Sequence, residues 1–522
     1  MPFSVPLIQK DVRAPKTARK VGNGLKYVIG IDLGTSAVKA LLVDSEGRVC
    51  GEASEPYPLL QEKAGYNEQE PERWVTQTVA ALRKLVRETG IRPDEVEGLS
   101  FSGQMHGLVL LDKDRRVIRN AILWNDTRTT EQCREIEAAL GKRLFAVAKN
   151  RALEGFTLPK LLWVKRHEPE HFRRAATFLL PKDYVRYRLT GRIATEYSDA
   201  AGTLMFDVAN KRWSEEICAA FGIDPAICPP LVESHAQVGV LLPDMAEAAG
   251  LSETVRVFAG GADNACGAIG AGILSAGEAM CSIGTSGVVL SVAENGDADY
   301  GGKLHFFNHG KENAFYAMGV TLAAGYSLQW FKETFAPGLS FDELLKGIDE
   351  VPAGAGGLLF TPYLVGERTP HADANIRASF IGMDATHKLA HFTRAVVEGI
   401  TFSLKESLDI LRGAGHDIGS LVSIGGGAKN ESWLQMQADI FNATIHKLEN
   451  EQGPAMGAAM LAAYGCGWFD SLEACAAVFL KRSRSYRPRP DHAELYDRLY
   501  DVYRNVYEGT KRLNDGLVPF RK

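Results

Sequence analysis

The first strong hydrophobic pattern in the chain covers residues 26–44, KYVIGIDLGTSAVKALLVD. Apolar residues run up to Asp32 and resume after Ser36, and a short turn of glycine and small hydroxyl residues separates the two runs. Two apolar runs joined by such a turn are typical of a β-hairpin. The sequence therefore predicts strand, glycine-rich turn and strand, with GRVC as a short third strand.

A helix and another strand are predicted next. Residues 71–89 carry apolar side chains at helical spacing, and Pro71 suits the first helical turn. The segment VEGLSFSGQ, residues 96–104, has the pattern of a strand. A meander of three strands followed by alternating helices and strands is typical of an α/β domain with a mixed sheet.

The hairpin pattern occurs a second time. GEAMCSIGTSGVVL, residues 277–290, again places Gly-Thr-Ser between two apolar runs. The repeated glycines are Gly34 and Gly284, so the period is 284 − 34 = 250 residues. A repeat of this length predicts two similar domains, each offering a hairpin tip to a shared cleft.

The composition indicates the class of protein and argues against some kinds of partner. The chain has 522 residues, of which 45% are hydrophobic and 24% charged, an ordinary globular composition whose length suggests two or more domains. The net charge of −5 gives no indication of a nucleic-acid or membrane surface. No apolar run approaches the length of a spanning helix.

The cysteines and the first residues complete the general picture. Eight cysteines are scattered without CxxC spacing, which favours reduced thiols in a cytoplasmic protein over a disulfide framework or a zinc site. Residues 1–26 are basic and rich in breakers, and they lack the continuous apolar segment of a secretory signal. We expect a flexible N-terminal extension there.

A glycine cluster is the first candidate for chemistry. In SLVSIGGGAKNESW, a β-branched strand runs into Gly425, Gly426 and Gly427, and a helix is predicted to begin near Asn430. This arrangement lets backbone N–H groups approach a phosphate closely, although a purely structural tight turn explains it as well. Neither GxxxxGK[ST] nor GxGxxG is present, which disfavours a Walker loop and a dinucleotide fingerprint.

Two further segments carry polar side chains among small residues. AGGADNACGAIGAGI, residues 259–273, leaves Asp263 at the start of a predicted helix, either as a capping residue or as a functional acid. GQMHG, residues 103–107, places His106 where two strands meet, as a metal ligand, an acid–base group, a hydrogen-bonding group or a structural residue. No second His or Cys lies at ligand spacing from it, which disfavours the metal role.

Together these segments resemble the FGGY family of carbohydrate kinases, within the actin-like ATPase superfamily. The resemblance runs from about residue 27 to the end. The motifs that carry it are GIDLGTSAVK (30–39), YNEQEPERW (66–74), GQMHG (103–107), LWNDTR (123–128), GFTLPKLLWVK (155–165), LPKDYVRYRLTG (180–191), TEYSDAAGT (195–203), GGADNACGAIG (260–270), SIGTSG (282–287), YLVGERTPHAD (363–373), GGGAKNESW (425–433) and GPAMGAA (453–459).

The resemblance implies an α/β fold of two ribonuclease-H-like domains flanking an interdomain catalytic cleft. Residues 27–272 would bind the sugar and carry the base, and residues 273–522 would bind the nucleotide. The implied cofactors are ATP and Mg²⁺. Asp263 would be the catalytic base, kept ionised by its helix N-terminus, and Asp32 would help to hold the metal through water.

The resemblance also assigns binding residues. Met105, His106, Asp263 and Asn264 would contact the sugar, with the glycines of GQMHG letting the backbone turn so that Met105 and His106 face Asp263. The nucleotide-side residues would be Thr35, Ser36 and Thr285 at the phosphates, Gly325 and Gln329 near adenine, and Gly426, Gly427 and Asn430 at the glycine cluster.

The resemblance also suggests roles for residues outside these principal binding positions. Lys39 stands where related kinases carry a basic residue near the phosphates, although a solvated strand lysine explains it equally. Residues 124–126 are expected in a second layer around the sugar. Arg368 and His371, in GERTPHAD, are expected to organise the domain first and to serve catalysis second.

Within the family, GQMHG, LWND and FTLPKLLWV resemble the branch that phosphorylates D-xylulose to D-xylulose 5-phosphate in pentose catabolism. The alternatives are another kinase of the family acting on ribulose, gluconate or glycerol, or a non-catalytic actin-like ATPase or sugar sensor. The implied partners are a small sugar and ATP, with no nucleic acid and no membrane. The family is often dimeric, and the sequence leaves a homodimer open.

Overall fold

A mixed seven-stranded sheet forms the first half of the chain in the computed structural model, which describes residues 26–521. The predicted extension lies outside the described residues apart from Lys26. From edge to edge the strands are Gln237–Val240, Arg256–Phe258, Val96–Gly103, Tyr27–Leu33, Ala37–Asp44 and Val49–Pro56, with Gly261–Ala262 pairing the end of Val96–Gly103.

The first hairpin, Tyr27–Leu33 and Ala37–Asp44, confirms the prediction from the apolar pattern. The third strand, Val49–Pro56, is longer than the predicted GRVC because it pairs along nearly all of Ala37–Asp44. The apolar side chains of Tyr27–Leu33 are almost all buried, since helices cover both faces of the sheet. One of these helices is Pro71–Thr89, at the predicted bounds.

A second seven-stranded sheet forms the other half. Its strands, in order, are His305–Asn308, Phe315–Thr321, Gly287–Ala293, Ala279–Ile283, Ser420–Gly425, Thr444–Leu448 and Arg482–Tyr486. The second hairpin is Ala279–Ile283 with Gly287–Ala293. In each sheet the first hairpin strand is antiparallel to its hairpin partner and parallel to the neighbour on its other side. This shared topology confirms two α/β domains of similar architecture.

The remaining elements surround the sheets. The other helices are Thr130–Leu140, Lys142–Ala148, Thr157–His167, Pro169–Arg174, Pro181–Thr190, Tyr197–Ala200, Glu215–Ala220, Pro243–Ala249, Asp263–Gly270, Gly325–Phe335, Phe341–Leu345, Leu389–Gly413, Glu431–Phe441, Pro454–Gly465, Leu472–Phe479, Pro490–Tyr503 and Val506–Leu517. Short strands pair Glu68–Gln69 with Ala121–Ile122, Val109–Leu111 with Thr177–Leu179, Thr195–Glu196 with Leu231–Val232, Phe206–Asp207 with Arg212–Trp213 and Leu359–Thr361 with Ser379–Ile381. Within residues 26–521, no helix combines the length and apolar character needed to cross a membrane.

Helix Pro454–Gly465 comes from the second half of the sequence but packs on helix Asp263–Gly270 and strand Tyr27–Leu33 of the first. The approach is backbone to backbone. A Cβ atom on Gly457 would stand 1.9 Å from the carbonyl oxygen of Cys266, and one on Gly30 would stand 1.9 Å from that of Ala455. Both positions require glycine, and the helix that begins at Asp263 is thereby fixed against the second domain.

We predict that Gly457→Ala destabilises the protein by about 3 kcal/mol, because the added methyl forces the two helices apart. Gly509→Ala is the matched control. Gly509 lies within helix Val506–Leu517 with nothing near its Cβ position, so alanine should stabilise that helix by about 0.5–1 kcal/mol. Urea unfolding of both variants measures the change in the free energy of unfolding, which should fall for Gly457→Ala and rise for Gly509→Ala. A Gly457→Ala variant as stable as the wild type contradicts the close packing.

Candidate active site

A cavity of about 310 Å³, the first cavity, lies between the two domains. It is lined by side chains of the GQMHG loop, by the start of helix Asp263–Gly270 and by the inner face of the second sheet. The lining residues are Met105, His106, Trp124, Leu153, Gly155, Phe156, Asp263, Asn264, Ser282, Gly284, Ser286, Val288, His305, Phe307, Met318, Val320 and Arg368.

The GQMHG loop turns at His106, whose φ of 68° is left-handed. Gly103 and Gly107 have ordinary φ angles, so the expectation that the glycines turn the backbone is wrong. They are needed for space instead. A Cβ on Gly103 would stand 2.8 Å from Lys182 Cβ, and one on Gly107 would stand 2.5 Å from Pro181 Cγ.

The ring of His106 has a defined orientation. Its Nδ1 lies 2.6 Å from the carbonyl oxygen of Gly202, which only accepts, so Nδ1 carries the hydrogen. Burial, together with the nearby charge of Lys160, lowers the pKa of His106 to about 3, so the ring is neutral at neutral pH. Nε2 is therefore a hydrogen-bond acceptor.

The GFTLPKLLWVK segment holds the backbone of this loop. Thr157 Oγ1 donates to the carbonyl oxygen of His106 at 3.0 Å, and the buried Lys160 Nζ donates to the same oxygen at 3.4 Å. These contacts explain why the two motifs occur together, since one supplies the polar support for the left-handed residue of the other.

Asp263 is the first residue of its helix, and Ala262 occupies the cap position. Its Oδ1 accepts from the Asn264 backbone N–H at 2.7 Å and from Asn264 Nδ2 at 3.0 Å. Asn264 Nδ2 also lies 3.7 Å from Met105 Sδ. The structure thus brings Met105, His106, Asp263 and Asn264 together in one cavity.

Burial and the charge of the neighbouring Asp32 raise the pKa of Asp263 to about 7, even though two hydrogen bonds from Asn264 oppose the shift. The expectation that the helix N-terminus keeps this carboxyl fully ionised is therefore wrong in the free protein. The free energy lost when the carboxylate is removed from water exceeds the stabilisation that the helix N-terminus gives to its negative charge. A carboxyl with a pKa near the working pH suits general base catalysis.

A fully buried ion network supports the backbone just before Asp263. Ser198 Oγ accepts from the Ala262 N–H at 3.0 Å and donates to Glu196 at 2.8 Å. Lys182 Nζ lies 3.3 Å from Glu196 and 3.0 Å from Asp199. The LPKDYVRYRLTG and TEYSDAAGT motifs therefore hold the backbone that leads into Asp263.

Asp32 lies next to the end of the first hairpin strand. Its carboxyl oxygen Oδ1 is buried and has no hydrogen-bond partner among the described residues. Burial raises its pKa, while the Ser102 hydroxyl and the charge of Lys39 oppose the shift. An unpaired carboxylate oxygen close to a second carboxylate fits a Mg²⁺ ion, which takes oxygen ligands and usually binds one or two carboxylates together with phosphates. No cluster of three or more His, Cys, Asp or Glu in residues 26–521 forms a metal cage by itself.

The other predicted residues of the first hairpin are engaged elsewhere. Thr35 Oγ1 accepts from Trp124 Nε1 at 2.9 Å, and Ser36 is exposed. Lys39 Nζ donates to Gln452 at 2.6 Å and lies 3.0 Å from Glu52. Lys39 is thus an ion-paired strand lysine, and this geometry does not favour the alternative of a phosphate contact.

A second cavity, of about 340 Å³, lies on the other side of the second hairpin tip, and Gly284 lines both cavities. Its walls combine apolar side chains with the three glycine-bearing segments, and it holds all six nucleotide-side residues predicted from the second domain. The lining residues are Ile283, Gly284, Thr285, Gly325, Leu328, Gln329, Phe341, Asp342, Leu345, Gly426, Gly427, Lys429, Asn430 and Trp433.

Several of these residues also have structural reasons to be present. A Cβ on Gly427 would stand 2.7 Å from Ile283 Cβ, and one on Gly325 would stand 2.4 Å from the Gly284 carbonyl oxygen. Asn430 Oδ1 accepts from the Trp433 N–H at 2.9 Å and caps helix Glu431–Phe441. The tight-turn interpretation of the glycine cluster therefore holds alongside its place in the cavity wall.

Sequence reasoning missed or misplaced other residues. Sequence patterns gave no signal for five of the residues that line the cavities. The first cavity contains Phe156, His305 and Phe307, and the second contains Phe341 and Leu345. Arg368, expected mainly to organise its domain, lines the first cavity. Of residues 124–126, expected in a second layer around the sugar, Trp124 lines the first cavity, and Asp126 pairs with the buried Arg128 at 2.6 Å.

The 366–373 loop, GERTPHAD, is anchored by the last long helix. Asp373 Oδ2 accepts from Tyr507 OH and from Lys511 Nζ, both at 2.9 Å. The ring of His371 stacks on Tyr507 with centroids 3.7 Å apart, which agrees with the organising role expected for it. The backbones of Glu367 and Asp373 exchange two hydrogen bonds of 2.9 Å and close the loop.

Comparisons with known proteins agree with this architecture. The model of the FGGY family of carbohydrate kinases, N-terminal domain, matches residues 27–270, and that of the C-terminal domain matches residues 279–466. The chain is 63% identical over 498 residues to the xylulose kinase of Bacillus subtilis, covering 95% of this chain and 100% of that protein.

Solved structures match over similar lengths. The structure described as a xyloylose kinase from Brucella ovis is 36% identical with a TM-score of 0.87, covering 93% of this chain and 100% of that one. The gluconate kinase of Lactobacillus acidophilus is 26% identical with a TM-score of 0.88, covering 93% of this chain and 98% of that one. The fold is therefore shared by kinases named for different sugars.

We predict that Gly202→Ala impairs the first cavity selectively. The added Cβ would stand 2.8 Å from His106 Nδ1 and 3.0 Å from the Met105 terminal methyl, so both side chains must move. The KM for the phosphoryl acceptor should rise about tenfold or more, while nucleotide affinity stays at the wild-type value. Steady-state kinetics with each substrate varied in turn measures the two constants. Equal losses in both contradict the assignment of the loop to the acceptor.

Proposed function

The chain belongs to the FGGY family of carbohydrate kinases, and on that premise we propose that it transfers the γ-phosphoryl group of ATP to the C5 hydroxyl of D-xylulose. The observation that carries the proposal is the pair of cavities meeting at Gly284, with Asp263 in the wall of one and the glycine cluster in the wall of the other. The identity of 63% to the Bacillus subtilis xylulose kinase supports the choice of sugar.

The residues of the first cavity suit an acceptor hydroxyl. Asp263 in its ionised form takes the proton of the C5 hydroxyl as that oxygen attacks the γ-phosphorus. His106 accepts a hydrogen bond from a sugar hydroxyl through Nε2, because its Nδ1–H is committed to Gly202. Met105 supplies an apolar wall, and Asn264 orients the carboxyl of Asp263.

The second cavity suits the nucleotide. Its apolar side chains face the adenine, while Thr285 and the backbone N–H groups near Gly426 and Gly427 face the phosphates. Asp32 would hold Mg²⁺, which when bound neutralises phosphate charge. Thr35 and Ser36 would complete the phosphate side only from a more closed arrangement of the domains, since neither lines the cavities described here.

The predicted boundary after residue 272 stays a prediction. It separates the proposed base from the nucleotide-side cavity, but the proposed sugar cavity is lined from both sides of it. Dimerisation and a cytoplasmic location stay predictions. A gluconate kinase is the alternative function, favoured by the similarity to a gluconate kinase structure at 26% identity. Ribulose and glycerol stay alternatives from the sequence.

A substrate panel tests the proposal. ADP release is measured with Mg-ATP and D-xylulose, D-ribulose, L-ribulose, gluconate or glycerol. We expect kcat/KM for D-xylulose to exceed that for each other sugar by at least about tenfold, the size of one well-placed polar contact. A higher value with another sugar assigns the protein to that sugar instead.

Asp263→Asn is the control for the chemistry. The amide has nearly the same shape but cannot accept the proton, so sugar-dependent ADP release should fall by about 10²–10⁴-fold while nucleotide binding is retained. Calorimetric titration with ATP measures the binding. A variant that keeps near-normal kcat removes Asp263 from the role of base.

The raised pKa of Asp263 predicts a pH dependence. The base acts in its ionised form, and its pKa is about 7, so activity should decline as the pH falls below 7 and level off above about 8. Rates at low concentrations of both substrates report the free enzyme and are measured from pH 5.5 to 9. A carboxyl with an ordinary pKa would instead keep the activity constant down to about pH 5.

A further inference from the structure

Arg368 enters the first cavity from the second domain, on the 366–373 loop. The backbone around it is firmly held. The Arg368 N–H donates to Glu367 Oε1 at 2.7 Å, the same oxygen accepts from the Leu322 N–H at 3.0 Å, and the Thr369 N–H donates to the Val320 carbonyl oxygen at 3.0 Å. The loop is thus tied to strand Phe315–Thr321, and the position of the guanidinium stem is fixed.

The guanidinium of Arg368 makes no hydrogen bond or ion pair with any residue in 26–521. The nearest acids have other partners, because Glu367 accepts backbone amides and Glu154 accepts from Thr130 Oγ1 at 3.0 Å. The buried arginines of the first domain differ, since Arg128 pairs with Asp126 at 2.6 Å and Arg186 with Asp183 at 2.8 Å. Arg368 is partly exposed, and a cation that lines a cavity without a protein partner is available to a ligand.

The Arg368 guanidinium acts electrostatically on the two histidines of the cavity. Its charge contributes to the lowered pKa of His106 and of His305, each about 3, after the larger effect of burial. The groups that act on the Asp263 carboxyl are Asp32 and Asn264. His106 and His305 pack against the same two rings, Phe156 and Phe307. These two histidines and Arg368 therefore form one polar group in the cavity wall, in addition to the proposed base Asp263.

His305 adds a second acceptor to this group. Its Nδ1 lies 3.2 Å from Asn150 Oδ1, and the Asn150 amide nitrogen donates to the Phe306 carbonyl oxygen at 2.8 Å, so Oδ1 is the accepting atom. His305 therefore donates through Nδ1 and offers Nε2 as an acceptor. The cavity wall thus carries one planar fork of donors and two imidazole acceptors.

We propose that Arg368 recognises the end of the sugar that is not phosphorylated, by donating to the C1 hydroxyl oxygen and the C2 carbonyl oxygen of an open-chain 2-ketose. The proposal rests on the proposed function. The two neighbouring oxygens of a hydroxyketone suit the paired N–H groups of a guanidinium, and the C1 hydroxyl hydrogen points to His106 Nε2. A polyol has no carbonyl oxygen at C2, so Arg368 is a specificity-determining residue for ketoses.

The test compares D-xylulose with 1-deoxy-D-xylulose, which lacks only the C1 hydroxyl. We expect Arg368→Gln to lower kcat/KM for D-xylulose by about 100-fold, mainly through KM, and that for 1-deoxy-D-xylulose by about tenfold, because one of the two contacts is already absent. The ratio of kcat/KM for D-xylulose to kcat/KM for 1-deoxy-D-xylulose should thus fall about tenfold. The affinity for ATP, measured by calorimetry, should not change.

Two further variants separate recognition from folding. Arg368→Lys keeps the charge but loses the fork, so it should also reduce the preference, and it carries the test if Arg368→Gln does not fold. Arg487→Gln is the control, because Arg487 is exposed and its side chain has no partner among the described residues. It should leave both substrates unaffected.

The outcomes are distinguishable. Equal losses on both sugars with an unaltered preference overturn the role of Arg368 and leave the proposed function in place. A wild-type protein that phosphorylates another sugar but not D-xylulose contradicts the proposed function, and the ketose assignment of Arg368 with it.

Discussion

The arrangement of the site depends on one backbone contact, between helix Asp263–Gly270 and helix Pro454–Gly465. The first helix begins with the proposed base, and the second belongs to the half of the chain that forms the nucleotide-side cavity. Gly457 lets these helices approach to a distance that no side chain allows. Helix packing therefore positions the proposed base relative to the nucleotide-side cavity, and the two cavities meet at Gly284.

A second level of organisation lies behind the residues that face the cavities. The buried ions around Lys182 support the chain before Asp263, and Thr157 and Lys160 hold the left-handed turn at His106. Gly202 determines which nitrogen of His106 carries hydrogen. Because these partners are buried, the same environment that fixes the side chains also shifts their pKa values, upward for Asp263 and downward for His106.

The parts predicted from sequence are those with a local cause. The two hairpins, the 250-residue repeat and helix Pro71–Thr89 follow from apolar spacing, and the structure confirms them. The functions of Gly103 and Gly107, the raised pKa of Asp263 and the cavity position of Arg368 depend on contacts between distant segments. No spacing rule contains that information, because the 366–373 loop reaches the cavity only through its attachment to strand Phe315–Thr321.

The anchor of the 366–373 loop has a consequence for synthesis of the protein. Tyr507 and Lys511, which hold Asp373, lie beyond residue 466, where the match to the family's C-terminal domain ends. The first sheet and the GQMHG loop can form on the ribosome long before helix Val506–Leu517 emerges. Until then the 366–373 loop is held by its own backbone pairing and by strand Phe315–Thr321, without the contacts of Asp373 to Tyr507 and Lys511. Arg368, which we propose to recognise the sugar, thus lies on a loop whose contacts are completed only after nearly the whole chain has been translated.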